Sequence, residues 1–430
     1  MVKKSHPEVT LTLEKIVGGG QALGTLEDGR KVFVWGGLPD ETVKVQLTKN
    51  KSKYSEGAVT EIVKASSERI EPTDPTSYLS TSPWQIMSLE TENRYKAALI
   101  EEAFELHNIV LPDQIEVYSD GNEYGYRNKV EFSFWFDTDT NKLSLAFFKR
   151  GSHGKLAVDG TSLAKDAINQ KGQQIVTILN EMGIEGRALK TILIRSSADN
   201  KTAWQLYVKD ETFDVDTFLR HFPKDENGEV IYSNPQSPAS VITKRLGGSS
   251  KPLSDTILGV PFHYATEGFF QINLPVYEQA LKDMQRWVKE GGKTVDLYSG
   301  VGSIGLTIGG DDVQLIEVNE HAVREMERNI TEQGKKATAI LAPSEKALEY
   351  ITGDKTIIVD PPRAGLHEDV IERLIEQSPR RIIYLSCNPV TQARDVMLLC
   401  EAYGIKAHRG YNFFPHTPHI EHLIILEKAV

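Results

Sequence analysis

The sequence predicts an α/β chain in three parts: a small β-barrel, a central α+β region, and a carboxy-terminal part built on a mainly parallel sheet. Three observations lead there. In the last third, apolar strand-like runs alternate with helical ones, the pattern of βαβ units. Short β-branched runs between glycine turns crowd the amino-terminal part, and two hairpin-like segments dominate the middle.

Residues 9–13, 31–35, 42–47 and 58–63 read as strands, with Gly18-Gly19-Gly20 and Glu27-Asp28-Gly29 as turns. Four or five strands in about sixty residues make an OB-like barrel, a common nucleic-acid platform. Glu71-Pro72-Thr73-Asp74-Pro75-Thr76 marks a linker. The spacing of Leu89, Tyr95, Leu99 and Phe104 predicts a helix over 88–107. Residues 129–135 and 143–148 flank a polar turn as one hairpin, and 191–194 with 203–208 form a second that turns at Asp199-Asn200. The strands of the last part are 293–297, 313–317, 356–360, 381–385 and 420–426, with helices at 320–330 and 368–376 between them, as in a Rossmann-like sheet. The resulting boundaries are 1–70, 71–255 and 256–430.

With 430 residues, 40% of them hydrophobic and 25% charged, the chain has ordinary soluble composition and length for a sizeable core. It contains no apolar stretch of membrane-spanning length, and the run from Met1 to Pro7 lacks a signal-peptide core, so no membrane partner is expected. Two cysteines leave no disulfide framework and point to a reducing, cytoplasmic compartment. The expected assembly is a monomer. A net charge of -11 argues against a polyanion as partner, yet it says nothing of local patches. Lys49-Asn50-Lys51-Ser52-Lys53-Tyr54 and Tyr124-Gly125-Tyr126-Arg127-Asn128-Lys129 interleave cations with aromatics, which suits an RNA backbone and its bases, although solvated loop tips look the same.

Chemistry concentrates in the last part. Gly300, Gly302 and Gly305 make a G-x-G-x-x-G turn after the strand ending Asp296-Leu297, where missing side chains let a ligand approach the backbone. The next strand ends in Glu317, whose carboxylate suits the two hydroxyls of a ribose. A dinucleotide or S-adenosylmethionine satisfies both features. The third strand runs into Asp360-Pro361-Pro362-Arg363, an acidic-Pro-Pro turn that resembles the substrate-side motif of adenosylmethionine-dependent methyltransferases. Enzymes of that kind that methylate nitrogen place an aromatic after the two prolines, and Arg363 stands there instead.

Cys387, in Ser386-Cys387-Asn388-Pro389 after the fourth strand, is either a buried structural thiol or a nucleophile at a strand end. A thiolate adding to carbon-6 of uracil would make carbon-5 nucleophilic, and a base must then remove the carbon-5 proton. Glu421, entering an apolar run in the last strand, is the candidate base. A metal cluster of His416, His419, Glu421 and His422 is the competing reading, without an H-E-x-x-H spacing to support it. Cys400 reads as a buried helix residue.

In order along the chain, Phe269-Phe270-Gln271-Ile272-Asn273, Asp296-Leu297-Tyr298-Ser299-Gly300, Asp360-Pro361-Pro362-Arg363, Ser386-Cys387-Asn388-Pro389 and His419-Ile420-Glu421 resemble the motifs of the RNA uridine-C5 methyltransferase family. The amino-terminal barrel resembles that family's TRAM domain. The resemblance implies a class I methyltransferase domain over 256–430, with Cys387 as nucleophile, Glu421 as proton acceptor, and Gln271, Tyr298, Gly300, Glu317 and Asp360 at cofactor positions for S-adenosyl-L-methionine. It leaves Phe269, Arg127, Lys129 and Arg363 as candidate RNA contacts, with Phe269 either a stacking surface for an extruded base or a core residue. Gln271 has an alternative reading as a cap for the helix beginning near Leu274, and Tyr298 as core packing.

Two departures stand out. Many relatives carry a four-cysteine iron–sulfur site between barrel and central domain, but residues 77–85 contain no cysteine, so no such cluster is expected, and no other metal. Ser299 replaces a cysteine often found in the glycine loop. The barrel makes 23S ribosomal RNA the first expected substrate, because the tRNA-specific bacterial branch of the family lacks it; tRNA is the alternative. A reading of another class, an RNA-binding or chaperone protein with an inactive methyltransferase domain, is disfavoured by intact Cys387 and Glu421.

Overall fold

The computed structural model describes residues 7–288 and 292–429; the stretch read as lacking a signal-peptide core lies, through residue 6, outside them. In chain order, β1 (Glu8–Ile16), β2 (Ala22–Thr25), β3 (Lys31–Trp35), β4 (Thr42–Asn50) and β5 (Tyr54–Lys64) close into a barrel in the order β1-β2-β3-β5-β4. Their inward residues alternate with solvated ones: Leu11, Leu13, Val32, Val34, Val43 and Val45 fill the interior. A short helix α1 (Tyr78–Thr81) precedes α2 (Leu89–Glu105), which starts because Ser88 accepts the Thr91 N–H as an N-cap and because Glu90 and Glu92 favour its first turn.

After the edge strand β6 (Val117–Tyr118) come β7 (Lys129–Asp137), β8 (Lys142–Phe148), β9 (Lys155–Val158), α3 (Asp166–Glu181), β10 (Leu189–Ser196), β11 (Thr202–Val208), α4 (Val215–Leu219), β12 (Gly228–Tyr232) and β13 (Lys244–Ser249). Both expected hairpins form, and the central strands make a seven-stranded sheet in the order β13-β12-β11-β10-β7-β8-β9. Phe132, Phe134, Leu145, Ile192, Ile194 and Trp204 face the apolar side of α3 and form one core. The linker is tied to this part by Asp74, whose carboxylate accepts from Ser162 N, Ser162 Oγ, Thr161 Oγ1 and Gln85 Nε2.

The last part opens with the hairpin β14 (Leu253–Ile257) and β15 (Val260–Tyr264), then α5 (Leu274–Gln285), β16 (Lys293–Leu297), α6 (Ser303–Ile308), β17 (Asp312–Glu317), α7 (Glu320–Gln333), β18 (Ala337–Leu341), β19 (Lys355–Val359), α8 (Glu368–Gln377), β20 (Arg381–Ser386), α9 (Pro389–Leu399), β21 (Tyr403–Tyr411) and β22 (Glu421–Lys428). They form an eight-stranded sheet in the order β18-β17-β16-β19-β20-β22-β21-β6. β17 to β20 pair parallel, so both faces are covered and the strands are continuously apolar, as in the Ile357-Ile358-Val359 run. β22 pairs antiparallel with β20 and β21. The chain proceeds outward from β16 to β17 and β18, then returns to β19 on the other side of β16, and that reversal opens a crevice at the carboxyl ends of β16 and β19.

Helix α2 leaves its neighbours in sequence and packs on the sheet of the last part. Its Ile100, Ala103 and Phe104 join α8 and α9 in the core on one face, each such burial contributing about 1.5–3 kcal/mol for a large side chain. Cys400 is corrected by the structure: it caps the carboxyl end of α9 and is exposed, because the helix stops there and its apolar face ends at Leu399. No helix among the described residues is long and apolar enough to cross a membrane.

Candidate active site

The crevice is a cavity of about 1370 Å³ that gathers Gln271, Tyr298, Gly300, Glu317, Asp360, Arg363, Cys387 and Glu421 on its walls. Each comes from a strand end or the turn after it. Tyr298, Gly300 and Gly302 have φ of 64, 57 and 85°, so the chain after β16 folds back in left-handed conformations that glycine tolerates. A Cβ at Gly300 would meet nothing within 4 Å, which leaves its backbone open to a ligand. Gly305 is needed for a different reason: its Cβ would come within 2.4 Å of Leu315 and 2.9 Å of Asp296.

Buried Asp296 accepts the Gly305 N–H on Oδ2 at 2.8 Å, while Oδ1 has no partner, and burial pushes its carboxyl up to about 8. Glu317 accepts the Gly300 N–H on Oε2 at 2.9 Å and the Val318 and Asn319 N–H groups on Oε1, which ties the glycine loop to the end of β17. The Tyr298 hydroxyl accepts from Ser344 Oγ at 2.8 Å, so its ring serves both as packing and as wall. Gln271 makes no helix cap; Asn273 holds that position without a capping bond, its Nδ2 donating to the Phe413 carbonyl instead, and the Gln271 carbonyl accepts from Asn128 Nδ2.

At the far end of the cavity, half-buried Cys387 follows β20, with Asn388 as the N-cap of α9. Asn388 Nδ2 and Thr391 Oγ1 both donate to the Arg363 carbonyl, so the Pro-Pro-Arg turn and the cysteine turn form one unit. Arg363 Nη2 donates to His419 Nδ1 at 2.7 Å; burial, and then Arg363 itself, lower that imidazole to about 4 and keep it neutral. Burial raises the Cys387 thiol to about 11, helped by the negative fields of Glu421 and Asp360 and opposed by Arg363. Burial likewise raises Asp360 to about 7 and holds Glu421 well above the usual carboxylate range, with Asp360 adding to the rise.

The candidate RNA contacts divide. Phe269 is 71% exposed at the mouth of the cavity and Arg127 lines it, with its Nε unpartnered. Lys129 is committed elsewhere, donating to the Glu267 and Gly268 carbonyls at 3.0 and 3.2 Å, and burial lowers it to about 8. Together with Arg195, which donates to the Ala265 and Gly268 carbonyls, it props the arch that presents Phe269 and Gln271. The sequence alone assigns Asp296 no role of its own and His419 only that of a candidate metal ligand, although a carboxylate inside an apolar strand before a glycine turn is a usable signal for the first. The histidine cluster does not form: among the described residues no group of three metal-ligating side chains meets.

The residues fit adenosylmethionine better than a dinucleotide. The carboxyl groups of Glu317, Asp360 and Glu421 on the wall suit a ligand with a cationic centre, whose charge favours their ionised forms. The open backbone at Gly300 fits the same ligand.

Residues 311–429 match the model of the tRNA (uracil-5-)-methyltransferase family, and residues 7–60 match that of the TRAM domain. An uncharacterized RNA methyltransferase of Fusobacterium nucleatum is 29% identical, over 98% of this chain and 96% of its own. One of Thermotoga maritima is 28% identical, over 97% of this chain and 98% of its own. The crystal structure of Pyrococcus abyssi tRNA (uracil-54, C5)-methyltransferase with S-adenosyl-L-homocysteine superposes with a TM-score of 0.79 at 22% identity, covering 97% of this chain and 100% of that one, and shares its fold. That fold is a class I methyltransferase sheet behind a closed five-stranded barrel. On these matches residues 311–429 are similar to the tRNA (uracil-5-)-methyltransferase family, residues 7–60 are similar to a TRAM domain, and the chain is similar over nearly its whole length to RNA methyltransferases.

Proposed function

We propose that the protein methylates carbon-5 of a specific uridine in structured RNA, with S-adenosyl-L-methionine as methyl donor and Cys387 as covalent catalyst. The observation that carries the reading is one cavity holding a thiol, a buried carboxyl and a cofactor wall of acidic side chains at the carboxyl ends of the strands. Its volume of about 1370 Å³ exceeds the roughly 300–1,000 Å³ of a single small-molecule site, in keeping with two ligands side by side.

Residues 256–430 supply the chemistry, and 1–70 with 71–255 grip the RNA. The target base leaves its stack and enters past Phe269, and Arg127 and Arg363 meet its phosphate or carbonyl oxygens. Once ionised, Cys387 Sγ bonds to carbon-6, and the electrons of the C5–C6 double bond move to make carbon-5 nucleophilic. Bound adenosylmethionine supplies an electrophilic methyl on a positively charged sulfur, which keeps the bonding pair when carbon-5 takes the methyl. Glu421 then removes the carbon-5 proton, the double bond re-forms, and the thiolate leaves. Its raised pKa makes it a stronger base than an exposed carboxylate. Glu317, Gly300, Tyr298, Gln271 and Asp360 hold and orient the cofactor.

Ribosomal RNA, 23S in particular, is the first substrate to try. Transfer RNA is the second reading, because the Pyrococcus abyssi structure named for tRNA uracil-54 shares the fold over its whole length, barrel included. Incubation with labelled adenosylmethionine and fractionated RNA from cells lacking the gene tests both. The proposal expects 5-methyluridine in one fraction; no methylated uridine in any fraction would defeat it.

A further inference from the structure

We propose that Lys96, paired with Glu92, is a positioning residue that holds the segment leading into Glu421. The inference rests on the reading of Glu421 as base.

Residues 412–420 join β21 to β22, and β22 begins at Glu421. Lys96 and Glu92, one turn apart on α2, are both fully buried and pair at 2.7 Å. Lys96 Nζ donates to Asn412 Oδ1 at 2.5 Å and to the Phe414 carbonyl at 3.1 Å. Glu92 accepts from Asn412 Nδ2 at 2.9 Å and from the His416 N–H at 2.8 Å. The pair therefore grips the segment at three alternate residues, 412, 414 and 416. His416 needs that grip, since its φ of 63° is left-handed and costs energy in a residue with a side chain.

Other parts of the molecule converge on the same segment. Trp84 N donates to the His416 carbonyl, Tyr126 Oη donates to the Pro415 carbonyl, and Gly20 of the barrel leaves room for Pro418, whose Cβ would lie 2.1 Å from a Cβ placed there. Neither Lys96 nor Glu92 lines the cavity, so any effect on chemistry runs through this segment. A buried ion pair seldom stabilises a fold more than apolar packing would, and its best-attested use is to fix register. Here the register fixed is that of the strand bearing the base.

A misplaced base leaves carbon-5 methylated and Cys387 still attached, so the covalent protein–RNA species should persist. A role in folding alone would not produce it. The test uses the full chain, its RNA substrate and labelled adenosylmethionine, with denaturing gels followed over time. Lys96→Met combined with Glu92→Gln avoids leaving one buried charge alone, and Asn412→Ala leaves the pair intact while removing one grip. The double variant is expected to lower kcat by about tenfold or more, to change KM for RNA less than about twofold, and to accumulate adduct as Glu421→Gln does; Asn412→Ala should do so more weakly. Wild-type turnover in the folded double variant, or lost turnover without adduct in both variants, would overturn the inference while Glu421→Gln still traps. Failure of Glu421→Gln to trap, with methylation intact, would instead remove the base role and this inference with it.

Discussion

At the carboxyl ends of the parallel strands, Asp296 and Glu421 are buried and Asp360 stands at the cavity wall, with no ion pair to any of them among the described residues. On α2 and in the barrel the treatment is opposite. Glu92 faces Lys96, and Glu41, also fully buried, is held by Arg69 at 2.5 Å together with the Leu38 and Ser66 N–H groups. Equal burial has led to two electrostatic solutions. The paired charges act on the backbone around them; burial raises the unpaired carboxyls and the Cys387 thiol, to which Glu421 and Asp360 add, a state that a cationic ligand would relieve. The difference separates charges committed to the fold from Asp360 and Glu421, which face the cavity.

The largest expected effect breaks the unpaired side. Cys387→Ala should reduce methyl transfer by about a thousandfold or more while leaving the melting curve unchanged, measured with labelled adenosylmethionine. Glu421→Gln should cost about a hundredfold in turnover and leave RNA covalently bound on denaturing gels. The paired side responds in stability: Glu41→Gln, leaving Arg69 without its partner, should cost about 3–5 kcal/mol in urea unfolding with activity per folded molecule retained.

Smaller effects sharpen the contrast. Exposed Cys400 should react with iodoacetamide at pH 8 well before Cys387, whose rate should climb about tenfold per pH unit towards its raised pKa; equal rates at pH 8 would contradict the rise that burial, and then Glu421 and Asp360, impose on the thiol. Arg363→Ala should slow Cys387 further, since the guanidinium lowers the thiol. The Asp296 carboxyl is raised from 3.8 to about 8, so its contribution to stability is full below about pH 4 and is lost as pH rises through about 8. Asp296→Asn should flatten that part of the dependence of Tm on pH.

Much of this was legible in the sequence. The strand runs, the glycine turn and the Asp-Pro-Pro-Arg and Ser-Cys-Asn-Pro turns by themselves place Cys387, Asp360 and Glu317 at strand ends. β6, β18 and β21 were not legible, because a two-residue edge strand and half-exposed strands carry little apolar pattern. Nor does one strand encode its partner's direction, so the antiparallel β22 looked like its neighbours. Lys129 looked free beside Tyr126 and Arg127; only the fold brings the Glu267 and Gly268 carbonyls to its ammonium. Nothing local marks Lys96 for burial, which depends on residues some three hundred positions away, as in its bond to Asn412.

The central claim is that Cys387 carries the base through methyl transfer. Glu421→Gln protein, incubated with the RNA fraction that accepts methyl and with adenosylmethionine, can be denatured, digested with nuclease and trypsin, and mapped by mass spectrometry. A Cys387 peptide bearing a methylated uridine nucleotide is the predicted result. An unmodified Cys387 peptide from protein that has still made 5-methyluridine would contradict the account.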